Sequence, residues 1–572
     1  MIVSRSSQFA TEFLAALIAH GVTDVVVCPG SRSQSLALAA AEAEARGELR
    51  LHVKIDERSA GFFALGCALE TGNPAAVIVT SGTAVANLLP AVMEADAARV
   101  PLLLLTADRP PELHGIRSNQ TVDQADVFAR YARASFDAEA DTVEVPADLA
   151  AEAVAAARGA SSGAAAGAAQ VNLRFREPLS GPVQPAAVAK TDTRAAANEA
   201  PAAGEAPTAN EAPGPRFVLD DDALTVVVAG AHAGQAAVDF AARARLPLLA
   251  EVVSGARHGR EAVMGYQTLL HTPEVADLIE RVIVFGHPTL TREIPALLQR
   301  DGVEVVVVDP HPHPPYNPGR NAKVVTEVTV GEDYDPRLLH QWLGAWITRD
   351  RALRAERSTV HEPDLEQALA TGYKERSAYA RAEVEVMRAP VTRELLVDTV
   401  WRASWPHDRL VVAASRLVRV LDSVAQPRPV RVFANRGLGG IDGTIATALG
   451  IAQAQQAGDD AVAAAGVTRV IIGDLALLHD AGSLLLSPTE PAPRIQVIVG
   501  NDRGGTIFDQ LEVAQTAPQD LYERVMRTPQ NANLEHLAAA YGWDYQRAET
   551  RKDFEQLFTA AVTGPTLIEV PL

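Results

Sequence analysis

Residues 470–475 read Val-Ile-Ile-Gly-Asp-Leu, and residues 499–508 read Val-Gly-Asn-Asp-Arg-Gly-Gly-Thr-Ile-Phe. Each is an apolar run that stops at glycine and an acid or amide, the pattern of a buried strand reaching its end. In a parallel sheet both ends fall on the same carboxyl edge, where ligands bind. There Asp474 and an oxygen ligand from Asn501 or Asp502 form a hard site suited to a divalent cation such as Mg²⁺. Such an ion bridges to a diphosphate. The glycines admit close backbone approach, and a helix after Asp474 points its amino end at phosphate. Either motif alone is more often a plain strand-ending turn. The two motifs stand 27 or 28 residues apart (474 to 501 or 502).

The same alternation extends outward through the chain. Strands are expected at 25–28, 51–55, 75–80 and 102–106, with helices at 6–20, 35–46 and 59–70. A second set of strands is expected at 224–229, 247–252, 282–286 and 303–309, and a third near 410–413, 431–433, 469–472 and 496–499. Repeated strand–turn–helix units predict parallel α/β sheets. The expected fold is α/β, with three doubly wound parallel-sheet domains at 1–184, 216–350 and 389–572. Residues 185–215 are built from Ala, Pro, Glu, Asn and Thr with almost no large apolar side chain. Such a stretch cannot bury enough surface to offset its ordering entropy, and it reads as a disordered linker. Residues 351–388 read as a charged, helix-prone connector.

The bulk properties agree with this division and exclude several classes. A chain of 572 residues is too long for one core, and at ~100–200 residues per domain it should hold three or four. The formal net charge is -20 with no long Lys/Arg cluster, which argues against nucleic acid as a partner. Local arginines still allow anionic substrates on an acidic protein. Cys28 and Cys67 are the two cysteines, too few for a disulfide framework or a Cys-based zinc site. The first 21 residues read as an amphipathic helix rather than a signal peptide. No apolar run is long enough to span a bilayer, so no membrane insertion is expected and the cytoplasm is the default compartment.

In the first third, Asp56-Glu57-Arg58-Ser-Ala-Gly closes one expected strand and Val79-Thr-Ser81-Gly82-Thr closes the next. A lone Glu at a strand end is usually a solvated cap. Together with the 470–508 motifs, however, these stretches resemble the thiamine-diphosphate enzymes, whose metal–diphosphate motif usually opens Gly-Asp-Gly. The form here, Gly473-Asp474-Leu475, is that of the family's menaquinone branch. The resemblance implies pyrimidine-binding, central and diphosphate-binding domains in that order. It implies thiamine diphosphate and Mg²⁺ (or Mn²⁺) as cofactors. Glu57 is then the catalytic carboxyl beside N1′ of the aminopyrimidine, where its hydrogen bond favours the imino tautomer. Ser81, Gly82, Ile441, Gly473, Asp474, Leu475 and Phe508 line the cofactor. The second metal ligand has two registers. Counting back from Gly504-Gly505 favours Asp502 with the Gly504 carbonyl. Counting forward from Asp474, or preferring the family's Asn, favours Asn501 with the Arg503 carbonyl. The two halves of the site come from different subunits in this family, which implies a homodimer or a dimer of dimers.

The acceptor side rests on arginines at strand ends and turns: Arg32 in Pro29-Gly-Ser-Arg-Ser33, Arg109 in Thr106-Ala-Asp-Arg-Pro, Arg419 after Ser415, and Arg436 in Ala434-Asn-Arg-Gly437. Guanidinium forks suit carboxylates. Each alone is ordinarily structural, but their joint placement suits a polyanionic substrate. With the cofactor motifs they resemble the 2-succinyl-5-enolpyruvyl-6-hydroxy-3-cyclohexene-1-carboxylate synthase family. That resemblance implies decarboxylation of 2-oxoglutarate and conjugate addition of the succinyl carbanion equivalent to isochorismate. It places Arg32, Arg109, Asn119, Gln120, Arg292, Ser415, Arg419 and Arg436 on the substrates. The chain departs from the family at Thr291, where Lys is usual.

Overall fold

The computed structural model describes residues 4–160, 163–182, 214–311, 314–332, 334–337 and 339–572. The linker expected over 185–215 lies outside them except for its last two residues. Strands β1 (Asp24–Val27), β2 (Arg50–Val53), β3 (Ala75–Val79), β4 (Leu102–Asp108), β5 (Ala132–Glu139) and β6 (Ala168–Arg174) form one sheet in the order β2-β1-β3-β4-β6-β5. Next in the chain are β7 (Arg216–Leu219), β8 (Thr225–Ala229), β9 (Leu248–Ala250), β10 (Arg281–Phe285), β11 (Glu304–Val308), β12 (Lys323–Val325) and β13 (Glu327–Val330). They give a central five-stranded sheet, β12-β11-β10-β8-β9, and a β13-β7 pair. The third sheet runs β15-β14-β16-β17-β19-β18, from β14 (Arg409–Val412), β15 (Arg431–Phe433), β16 (Thr468–Gly473), β17 (Ile495–Asn501), β18 (Asp544–Arg547) and β19 (Thr566–Pro571). Every pairing in the three sheets is parallel.

The central strands are the continuous apolar runs, such as Leu102–Leu105 on β4, and they are buried along their length because helices cover both faces. The first and third sheets share one topology: the chain starts inside the sheet, steps to one side, then reverses to the other. That reversal puts a crevice between β1 and β3 and another between β14 and β16, at their carboxyl ends.

Three differences from the expected elements bear on the site. The second expected strand stops at Val53, and Glu57 is the first residue of the helix Glu57–Thr71, capped by Asp56. The first sheet gains β5 and β6 and the third gains β18 and β19, none of them foreseen. β6 opens Ala-Ala-Gln, a helix-like composition, while β5 and β18 are edge strands with one half-polar face. The expected helix after Asp474 begins at Asp474 itself and is only six residues long, Asp474–His479.

The first and third sheets are locked together by two crossing helices, Glu57–Thr71 and Thr444–Gln456. A Cβ at Gly66 would lie 2.1 Å from Thr447 O, and one at Gly450 would lie 2.0 Å from Phe63 O. Only glycine allows backbones this close. The contact fixes the helix that begins at Glu57 against the sheet that carries Asp474, within one apolar cluster that spans both sheets. Among the described residues no helix is long and apolar enough to cross a membrane.

Candidate active site

Several of the predicted site residues follow the carboxyl ends of strands. In the first sheet, Arg32 follows β1, Glu57 follows β2, Ser81 and Gly82 follow β3, and Arg109 follows β4. Gly82 has φ +83° and donates its N–H to Gln124 Oε1 at 3.0 Å. Ser81 Oγ donates to the Gln120 carbonyl at 2.8 Å, and Gln120 Nε2 returns a bond to the Ser81 carbonyl at 2.9 Å. Arg109 Nη1 donates to Ser81 Oγ and, at 2.9 Å, to Gln120 O. The structure thus brings Ser81, Gly82, Arg109 and Gln120 together. Arg32 donates to Phe175 O at 3.1 Å; burial, and then the charge of Arg32, hold the Arg109 pKa below the usual arginine range. Asn119 is exposed on the adjoining loop. Glu57 is half-buried, and Asn87 Nδ2 donates to its Oε2 at 3.3 Å.

In the third sheet, Asp474 is 4% exposed at the end of β16. The nearby backbone N–H groups of Leu475 and Gly504 favour its charged form. Burial first, and then the charge of Asp502, push its pKa up to about 6. Its Oδ2 is buried without a hydrogen-bond partner. A buried, orphaned carboxylate oxygen facing a second carboxylate calls for a cation, so the residues present fit a divalent metal. Asp502 Oδ2 accepts from Arg393 Nη2 at 3.0 Å and from Thr506 Oγ1. Asn501 is engaged at both ends of its amide: Nδ2 donates to Glu569 Oε1 at 2.8 Å, and Oδ1 accepts from Arg503 N–H at 3.1 Å. Gly504 has φ +152°, and a Cβ there would lie 2.6 Å from Arg527 O. The loop that follows carries Phe508 on the short helix Thr506–Gln510.

The arginines form a second group beside this edge. Ser415 caps the helix Arg416–Val424, and its Cβ is 3.9 Å from where a Cβ on Gly473 would stand. Arg419 Nη1 donates to Ser415 O at 3.1 Å. Burial, then the charges of Arg436 and Arg292, hold the Arg419 pKa below its usual range. Arg436 is 9% exposed and reaches into the central domain, where Nη2 donates to Thr289 O at 2.7 Å. Its loop is tethered from the first domain by Glu94, which accepts the N–H groups of Gly437 at 2.8 Å and Leu438 at 2.9 Å. Ile441, on the same loop, is 40% exposed. Thr291 Oγ1 is buried without a partner.

Arg58, the neighbour of Glu57, donates to His479 O at 3.1 Å, so Glu57 lies by the far end of the helix that starts at Asp474. Glu94, Thr289, Arg393 and Glu251 are placed here by the structure and were not singled out from sequence. The one signal for Glu251 is a lone acid inside the apolar run Leu248-Leu-Ala-Glu-Val-Val.

Comparison with known proteins bears on both halves. Residues 8–127 match the thiamine pyrophosphate enzyme, N-terminal TPP binding domain, and residues 418–570 match the C-terminal TPP binding domain. A 2-succinyl-5-enolpyruvyl-6-hydroxy-3-cyclohexene-1-carboxylate synthase of Leifsonia xyli subsp. xyli is 48% identical, covering 99% of this chain and 97% of the relative. Its namesakes in Clavibacter michiganensis subsp. michiganensis and Paenarthrobacter aurescens are 50% and 40% identical, covering 99% and 97% of this chain and 96% and 92% of theirs. With such identity along nearly its whole length, and both cofactor-binding domain models matched, the chain belongs to the 2-succinyl-5-enolpyruvyl-6-hydroxy-3-cyclohexene-1-carboxylate synthase family of thiamine pyrophosphate enzymes.

Proposed function

We propose that the protein decarboxylates 2-oxoglutarate and adds the resulting succinyl unit to isochorismate, a step of menaquinone biosynthesis in the cytoplasm. The observation that carries this reading is the 48% and 50% identity, over 99% of this chain, to two relatives named for that synthase, and the placement of Ser415 beside Gly473 at the start of the Arg419 helix agrees with it. A simple 2-oxo-acid decarboxylase has one carboxylate to hold. Joining a dicarboxylic donor to an anionic acceptor calls for several fixed cations in one cleft.

Thiamine diphosphate, when bound, supplies the nucleophilic carbon that takes up the 2-oxo acid and releases CO₂. Glu57 holds a proton at the pyrimidine ring nitrogen. Ser81 and Gly82, braced by Gln120 and Gln124, shape the wall behind the pyrimidine. Asp474, with Asp502 and the Gly504 carbonyl or with Asn501 and the Arg503 carbonyl, would hold Mg²⁺ or Mn²⁺, and that ion would anchor the diphosphate. The buried, unpartnered oxygen of Asp474 supports a cation at this edge. Ile441, Gly473, Leu475 and Phe508 border the cofactor. Arg32, Arg109, Asn119, Gln120 and Ser415 complete the substrate surface around the three arginines. The cofactor-binding halves at Glu57 and Asp474 are completed across a subunit interface, in a homodimer or a dimer of dimers.

Single-turnover CO₂ release measured beside product formation tests the arginine roles. Arg419→Lys and Arg436→Lys keep the charge but lose the planar fork. Arg419→Ala or Arg436→Ala should cost ~2–5 kcal/mol if a buried carboxylate is left unpaired. At least one of the Arg32, Arg419 and Arg436 variants is expected to release CO₂ normally yet form little product. Parallel loss of both steps in every variant would remove the acceptor role.

A further inference from the structure

Two buried carboxylates stand where the central sheet meets the third. Glu251 is fully buried one residue beyond β9. Each of its oxygens accepts a backbone N–H from one loop: Oε1 from Leu290 at 2.7 Å and Oε2 from Thr289 at 3.2 Å. Thr289 is the residue that holds Arg436, through its carbonyl at 2.7 Å and through Oγ1, which accepts from Nε and Nη2 at 3.2 Å each. The same loop carries Arg292 and the unpartnered Thr291 hydroxyl. The second carboxylate, Asp422, lies three residues after Arg419 on the helix Arg416–Val424. It accepts from Val252 N–H at 2.6 Å, Arg257 Nη1 at 3.1 Å, Tyr266 OH at 2.6 Å and Gln267 Nε2 at 2.6 Å. Residues 251 and 252 of the central domain therefore tie down both the loop that braces Arg436 and the helix that carries Arg419.

We propose that Glu251 is a positioning residue for the acceptor: by gripping the backbone of the 289–292 loop it fixes Arg436 and Arg292 in the orientation that receives the acceptor carboxylate. The proposal rests on the reading of these arginines as acceptor contacts. Burying a carboxyl group here is costly. Burial, then the charge of Asp422, push the Glu251 pKa up to about 8, while the two backbone N–H groups and Arg436 pull it down. The return is an acceptor atom at both positions. In Glu251→Gln the amide nitrogen has no lone pair to offer, so one of the two loop N–H groups is left facing a donor in a dry site. The loop then shifts, and with it the Thr289 oxygens that orient Arg436. Glu251 touches no reacting atom in this arrangement, so the donor half-reaction should be spared.

The test measures single-turnover CO₂ release from 2-oxoglutarate and the KM for isochorismate in the cofactor-loaded protein. E251Q should raise the acceptor KM about 10-fold, the effect of losing one buried hydrogen bond, with CO₂ release changed by less than about twofold. T289V removes the hydroxyl but keeps the carbonyl and the loop backbone; it should raise the acceptor KM about 3-fold with the same sparing of CO₂ release. T289V carries the test if E251Q does not fold. An unchanged acceptor KM in either folded variant, or equal loss of both half-reactions, overturns the assignment. Wild-type protein that releases CO₂ but forms no adduct with isochorismate instead overturns the acceptor reading on which the assignment rests.

Discussion

Glu57→Gln should lose on the order of 10²–10⁴-fold in turnover, the usual worth of a placed acid–base group, and still bind thiamine diphosphate. Gln matches Glu in size and keeps the helix start, because Asp56, not residue 57, caps Glu57–Thr71 by accepting from Arg58 and Ser59 N–H. The hydrogen bond from Asn87 to Oε2 has an amide oxygen as substitute. What Gln lacks is a carboxyl oxygen able to share a proton with a ring nitrogen. The fold and cofactor affinity should therefore persist while proton exchange at C2 of the bound cofactor slows. Cofactor titration and hydrogen–deuterium exchange separate the two effects. Near-normal exchange in a variant that binds cofactor would remove Glu57 from the chemistry.

Asp474→Ala should abolish metal-dependent cofactor binding. Loss of an outer-shell partner alone typically costs ~10–100-fold in metal affinity, and a direct charged ligand should cost at least the upper end of that range. Asp474 spends its burial on a carboxylate whose Oδ2 has no protein partner and whose neighbour, Asp502, repels it. Without a cation that arrangement is unfavourable, and with one it is a clamp. Asp502→Ala should weaken the same titration. Asn501→Ala should weaken it less than Asp502→Ala if Asp502 is the second side-chain ligand. Calorimetric titration of thiamine diphosphate at several Mg²⁺ concentrations distinguishes them. A greater loss in N501A than in D502A would move the second ligand to Asn501.

The parts of the fold that could be read in advance share one physical property. β4 and β8 are covered on both faces, so their sequences are unbroken apolar runs that end abruptly where the chain turns polar. That abrupt end is also where ligands bind in such sheets, and Ser81, Arg109, Ser415 and Asp474 all follow such ends. β18, Asp544-Tyr-Gln-Arg, lies at a sheet edge with most of its residues exposed, and its composition does not announce a strand. The supports of the site were equally hidden. Arg393 meets Asp502 across 109 positions, and Glu251 meets Leu290 across 39. Local sequence carries no trace of such partners. A carboxylate that grips backbone N–H groups leaves no complementary side chain to recognise at all.

The central claim is that one protein couples decarboxylation of 2-oxoglutarate to capture by isochorismate. Purified protein with thiamine diphosphate, Mg²⁺, 2-oxoglutarate and isochorismate should release CO₂ and form the succinyl adduct in equal amounts, followed by mass spectrometry of the product. Replacing 2-oxoglutarate by pyruvate should give little of either. Rapid pyruvate decarboxylation with no adduct from isochorismate would contradict the account.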